Sequence, residues 1–211
     1  MSRIFKPQHL QPPRGFTGPV ALADGPVCLE IGAGMGKHAL WFASEQPHQR
    51  LFAVERTAAK FKAFSERAQA ANLSNLYPVH ADALPWVVHA LAPACLDEAF
   101  ILYPNPEPKN PAQRWFNMPF FAFLLSRLRP GGTLTMASNI MAYVDEAEAQ
   151  LQQQWRLPYV RSQVAASSER THFEVKYLAR GARCEQLVLT KPKDYVTLFD
   201  AVDYTGLKSG A

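Results

Sequence analysis

The stretch Val27-Cys28-Leu29-Glu30-Ile31-Gly32-Ala33-Gly34-Met35-Gly36-Lys37-His38 constrains this chain more than any other. An apolar run carrying one acid leads into glycines at 32, 34 and 36, and Ala39-Leu40-Trp41-Phe42 follows. The pattern predicts a buried strand, a tight turn and the first turn of a helix. Glycines in such a turn let backbone N–H groups approach a ligand closely, with the helix N-terminus behind them. The spacing is not G-x-G-x-x-G, because the third glycine comes one residue early, and no Gly-Lys-Ser/Thr follows. A dinucleotide fingerprint and a triphosphate cradle are both poor fits.

Further along, Arg50–Glu55 is a second apolar run closed by an acid, and residues 57–71 show helical spacing through Phe61, Phe64 and Ala68. Leu76–His80 reads as a third strand, Glu98–Tyr103 as a fourth and Thr133–Ala137 as a fifth. Helices are expected over Phe116–Leu128 and Ala142–Gln154, with a turn at Arg129-Pro130-Gly131-Gly132. Phe173–Leu178 and Gln186–Leu189 read as a terminal antiparallel pair. Alternating strands and helices imply a doubly wound, mostly parallel α/β sheet with helices on both faces. Ligands of such sheets sit beyond the carboxyl ends of the strands. Glu30, Glu55, Asp82, Asn105 and Asn139 all fall at those ends, and five aligned polar ends suggest a site. Glu55 lies about twenty residues past the turn, where an acid can accept from two ribose hydroxyls.

Residues 1–25 are rich in proline and glycine and carry Arg3, Lys6, His9 and Arg14, so an irregular, solvated basic arm is expected ahead of one domain over 26–211. The 211 residues are enough for one α/β core. An excess of 22 Lys+Arg over 18 Asp+Glu is compatible with a nucleic-acid partner without requiring one. Cys28, Cys95 and Cys184 are scattered and form no CxxC pair, which argues against a disulfide framework and a zinc site. No apolar stretch approaches the length of a membrane span and no signal-peptide core is evident, so a cytoplasmic protein with no membrane and no metal partner is expected. Trp41, Trp86, Trp115, Phe116, Phe120, Phe121 and Phe123 read as core, and His38 and His172 carry no assigned role.

The hydrophobic-Glu-hydrophobic-Gly-x-Gly-x-Gly run resembles the first motif of Rossmann-like S-adenosylmethionine methyltransferases. That resemblance implies that Glu30, Gly32, Gly34 and Gly36 hold the amino-acid end of the cofactor. It implies that Glu55 holds the ribose, and that Arg56, Asp82 and Ala83 surround the adenine. Tyr103-Pro104-Asn105-Pro106-Glu107-Pro108-Lys109 is similar to the Phe-Pro-Asp-Pro-Trp-Pro-Lys motif of bacterial tRNA (guanine-N7)-methyltransferases. Ser138-Asn139 through Tyr143 resembles that family's Thr-Asp…Tyr segment, and Thr171-His172-Phe173-Glu174 its Thr-x-Phe/Tyr-Glu signature. The resemblance implies S-adenosylmethionine as cofactor, tRNA as partner and a monomer or homodimer. It also implies that Lys109, Asn139, Thr171 and Glu174 hold the nucleotide, with Asn105, Asn139 and Glu174 catalytic and Asn105 also near the cofactor. Asn105, Glu107 and Asn139 stand where the family has Asp, Trp and Asp. An amide accepts through its carbonyl but brings no charge. Two other readings stay open: methyl transfer to another nitrogen acceptor, and a catalytically silent paralogue that binds cofactor or RNA.

Overall fold

Every residue of β1 (Val27–Ile31) is buried, so both faces of this strand must be covered. The computed structural model, which describes residues 4–21 and 25–206, covers them with helices. The order after β1 is α1 (Lys37–Glu45), β2 (Arg50–Glu55), α2 (Ala58–Ala71), β3 (Leu76–His80), α3 (Ala83–Ala90) and β4 (Leu96–Leu102). Then come α4 (Phe120–Arg127), β5 (Leu128–Ser138), α5 (Met141–Gln150), β6 (Tyr159–Gln163), α6 (His172–Leu178) and β7 (Glu185–Thr190). One seven-stranded sheet runs β3-β2-β1-β4-β5-β7-β6. The pairs from β3 through β5 are parallel, and β7 runs antiparallel to both β5 and β6. This is the doubly wound, mostly parallel sheet the alternation predicts. The order in which strands are added reverses between β1 and β4, with β2 and β3 laid to one side and β4 and β5 to the other. At such a switch point the sheet opens a crevice beyond the strand ends.

Strand parity sorts the core onto two faces. Val27, Leu29 and Ile31 join the cluster holding Trp86, Phe121 and Val144 from α3, α4 and α5. Cys28 joins the opposite cluster, with Ala39 and Phe42 of α1 and Phe64 of α2. Glu30 shares the parity of Cys28, so the fold carries a carboxylate under α1.

Three expectations fail. Phe173–Leu178 is the helix α6, not a strand, and the partner of β7 is β6. Thr171 caps α6, its Oγ1 accepting from the Glu174 N–H at 2.9 Å. Thr-x-x-Glu is a helix-start spacing that overrides the strand propensity of Phe, Val and Tyr. The expected turn at 129–132 lies inside β5 as a bulge, where pairing with β4 shifts from Leu96↔Leu128 to Glu98↔Thr133. A Cβ on Gly132 would lie 3.0 Å from the Leu96 carbonyl, so only glycine fits that approach.

Nor is the N-terminal arm a solvated tail over residues 4–21. The Phe5 ring meets Phe120 and Phe123 at 5.2 and 5.4 Å between centroids. The Val20 N–H donates to the Ala90 carbonyl at 2.8 Å. Phe5, Leu10, Phe16 and Val20 all pack on the α3–α5 cluster, and their burial offsets the entropy of ordering a segment without regular strands. Residues 1–3 and 22–24 of the expected arm, and residues 207–211, lie outside the described residues.

Candidate active site

At the carboxyl end of β1 and β2, carboxylates and the glycine turn are tied together. Gly32, Gly34 and Gly36 all have positive φ, at 82°, 59° and 80°. Glu55, only 5% exposed, accepts from the Gly34 N–H at 2.8 Å through one oxygen and from the Thr57 N–H at 2.6 Å through the other. Glu30 is buried, with His38 Nδ1 3.0 Å from its Oε2. His38 carried no role in the sequence reading. Its signal was the parity of Glu30, which obliges α1 to present a polar partner. Arg67 of α2 donates to the Met35 carbonyl at 3.1 Å and braces the turn from outside.

The cradle these groups form is open. A Cβ built on Gly32 or Gly34 would meet nothing within 4 Å, whereas one on Gly36 would strike Phe64 Cδ2 at 2.0 Å. The first two glycines leave room for a ligand, and the third lets α1 pack on α2. The open space at Gly34 lies beside Glu55, whose Oε2 accepts from the Gly34 N–H, while Glu30 is held under α1 by His38. At the next strand ends Arg56 is exposed, and its carbonyl lies 3.3 Å from His80 Nε2. Asp82 is the N-cap of α3, its Oδ1 accepting from the Leu84 N–H at 2.9 Å, and Ala83 opens that helix.

The β4–β5 side is arranged differently. Tyr103 takes a left-handed φ of 51°, which an aromatic residue rarely adopts, and its N–H donates to the Ala137 carbonyl at 2.8 Å. That twist aims the proline segment off the sheet. Asn105 is exposed and donates to Glu107 two residues on, at 2.8 Å. Asn139 is half-buried, and its side chain makes no hydrogen bond to a described residue. Lys109 is exposed.

Glu174 of α6 is fully buried, and Tyr103 reaches it from the end of β4. Tyr103 Oη donates to it at 3.2 Å, Ser168 Oγ at 2.7 Å and Arg170 Nη2 at 2.8 Å, with Arg170 Nε at 3.3 Å. Burial above all, and then neighbours including Cys184 and Glu174, push the Tyr103 phenol well above its ordinary pKa, so it stays a neutral donor. Thus the structure joins Glu174 to Thr171 but leaves Asn105, Asn139 and Lys109 out of that network. Tyr103, Ser168 and Arg170 were missed in the sequence, because their contacts with Glu174 depend on the fold or on residues outside the motif. Trp41, expected in the core, is 45% exposed, since α1 buries Phe42 instead.

Comparison with known proteins adds to this geometry. Residues 24–189 match a family model described as a putative methyltransferase. The chain is 30% identical over 171 residues to a tRNA (guanine-N7)-methyltransferase of Nitrosomonas eutropha, covering 79% of this chain and 76% of the relative. It is 32% identical over 164 residues to that of Bordetella pertussis, covering 76% and 63%. Against that of Nitrosospira multiformis the match is 30% over 125 residues, 58% of this chain and 55% of the relative. The matches thus span from about half to three quarters of these relatives' lengths. Among solved structures, the 16S rRNA methyltransferase KamB superposes with a TM-score of 0.63 at 19% identity, covering 79% of this chain and 88% of its own. The antibiotic-resistance methyltransferase Kmr gives 0.58 at 20%, covering 81% and 89%. At those identities the structures speak to the fold alone.

Proposed function

This chain belongs to the tRNA (guanine-N7)-methyltransferase family, and from that premise we propose that it methylates guanine N7 in tRNA using S-adenosylmethionine. The observation that carries the proposal is the open glycine turn tied to the buried carboxylate of Glu55, set at the β1/β4 switch point where the proline segment follows β4. When bound there, the cofactor supplies an electrophilic methyl group on a sulfonium. The acceptor N7 has a free in-plane lone pair, so no residue has to remove a proton first. What the chain must do is hold two partners in line and stabilise the positive charge that appears on the purine.

On this reading Glu30, oriented by His38, faces the amine of the cofactor, and Glu55 accepts from the ribose hydroxyls with the second lone pair of each oxygen. Arg56, Asp82 and Ala83 border the adenine. Asn105 and Asn139 accept through their carbonyls from the guanine edge, and Lys109 and Thr171 hold the nucleotide. Glu174 is the negative group nearest the acceptor. The Arg170 charge offsets much of its field, so its larger contribution is to hold Tyr103 and Arg170 as one wall of the site. We place the protein in the cytoplasm as a monomer or homodimer. Among the described residues no helix is long and apolar enough to cross a membrane.

Incubation with labelled S-adenosylmethionine and bulk tRNA, followed by nucleoside analysis, tests the proposal. N7-methylguanosine is the expected product. Label on a different nucleoside would replace the acceptor, and cofactor binding with no label on any RNA would favour the silent paralogue.

A further inference from the structure

We propose that the groove between α1 and residues 165–170 is a second nucleotide subsite, in which Trp41 stacks on a base of the tRNA outside the target guanosine and Lys37 meets its phosphate. The inference rests on the tRNA reading above and goes beyond the residues that hold cofactor and guanine.

A tryptophan side chain is a large apolar surface, and Trp41 is nearly half exposed on a helix that buries its other large rings, His38 and Phe42. Trp41 stands four residues after Lys37, so the two share a face of α1. Together with Ala165, Ser168, Glu169 and Arg170 they line a groove of about 480 Å³. That is in the range of about 300–1,000 Å³ typical of small-ligand sites. An aromatic wall with a flanking ammonium fits a nucleotide: any base offers a π-face to stack, and the phosphate needs the cation.

The charge around the groove favours a polyanion. Among the described residues Lys37 and Arg67 form no ion pair, and the charges of both help hold the His172 pKa down. Arg170 is paired with Glu174, and Glu169 is the one acid in the lining. The groove also touches the acceptor wall directly, because Ser168 and Arg170 line it while donating to Glu174. RNA seated there would lie against Ser168 and Arg170, the groups that donate to the buried Glu174 carboxylate. Phe173, 44% exposed and stacked on Tyr103 at 5.7 Å, continues the aromatic surface toward β4.

The test uses the full chain and an unmodified tRNA transcript, with binding, methyl transfer and cofactor affinity measured separately for Trp41→Ala, Trp41→Phe and Lys37→Ala. Stacking on one aromatic ring predicts tRNA affinity about tenfold weaker for Trp41→Ala and within about threefold of the unaltered protein for Trp41→Phe. S-adenosylmethionine affinity should not move with either. Lys37→Ala should lower the slope of log affinity against log salt by about one, the signature of a lost phosphate contact. Trp41→Ala that binds and methylates tRNA like the unaltered protein would overturn the subsite and leave the proposed function standing. Trp41-dependent tRNA binding without methylation would support the subsite and remove the acceptor reading. If the unaltered chain binds no tRNA, the subsite falls, and a protein partner for this surface becomes the better account.

Discussion

On the β1–β2 side of the sheet edge, the polar groups are buried and locked to one another. On the β4–β5 side, the amides that stand in for the family's carboxylates are exposed or unbonded. Glu30 and Glu55 are 3% and 5% exposed and each has a partner in place. Asn105 bonds only within its own loop, to Glu107, and the Asn139 side chain has no described hydrogen bond. A small cofactor arrives with fixed geometry, so rigid, prearranged groups serve it well. A large RNA brings phosphates and stacked bases of its own, and loosely held polar groups can adapt to it. On the proposed reading, the two positions where the resembled motif has carboxylates, Asn105 and Asn139, both fall on the β4–β5 side.

The contrast is broken most severely at the glycine turn. Gly36→Ala places a Cβ 2.0 Å from the buried Phe64 ring at a positive φ. Overpacking of this kind should lower unfolding stability by about 3 kcal/mol in urea titrations and abolish cofactor binding. Gly34→Ala meets no atom within 4 Å, so its stability cost should be only about 1 kcal/mol, from backbone strain. It should nevertheless lose most S-adenosylmethionine affinity by calorimetry, because the methyl fills the cradle. Equal stability in the two variants would sink the division of labour between these glycines.

Glu55→Gln comes next. It keeps the size of the side chain but loses the charge that accepts from the Gly34 and Thr57 N–H groups. Cofactor affinity should fall about tenfold, in line with the difference between charged and neutral hydrogen bonds, while tRNA affinity stays level. A parallel fall in tRNA affinity would show that the two sides of the edge are coupled rather than separately built.

The two sides also differ in how far the sequence alone describes them. The glycine turn, the first five strands and the mostly parallel sheet follow from local or periodic features, and the structure agrees with them closely. Thr171-x-x-Glu174 carried a helix signal, but aromatic and β-branched residues after it read as a strand. The Glu174 cluster draws on Tyr103, 71 residues away in the chain, and no local pattern announces such a contact. Trp41 and Phe42 are neighbours on a nine-residue helix, and only the position of β4, which puts Phe100 5.1 Å from Phe42, decides which of them is buried.

Restoring charge on the acceptor side should sharpen the comparison. On the proposed reading, Asn105→Asp with Asn139→Asp puts two carboxylates beside the purine, where positive charge would develop during transfer. If tRNA guanine N7 is the acceptor, kcat should rise by about fivefold, with cofactor affinity unchanged, because the new charges act on the transition state rather than on binding. A gain confined to KM would mean that these positions only hold the nucleotide.

The smallest effect concerns His172, at the boundary between the two sides. Burial, then Arg67, then Lys37 hold its pKa below the ordinary 6.5. The folded protein therefore binds fewer protons than the unfolded chain as pH falls from about 6.5 toward the depressed value. Stability from this group is present above pH 6.5 and is lost as the pH drops through that window. The side chain is exposed, so the change in stability should be slight and the titration itself is the better readout. In NMR titrations the His172 midpoint should lie below 6.5 and move up in Lys37→Ala, where one of the repelling charges is gone. It should move up again when tRNA binds, since phosphate beside Lys37 and Arg67 cancels the same field. A midpoint that ignores both changes would mean that these cations do not share a surface with α6, and the basic rim of the acceptor side would have to be redrawn.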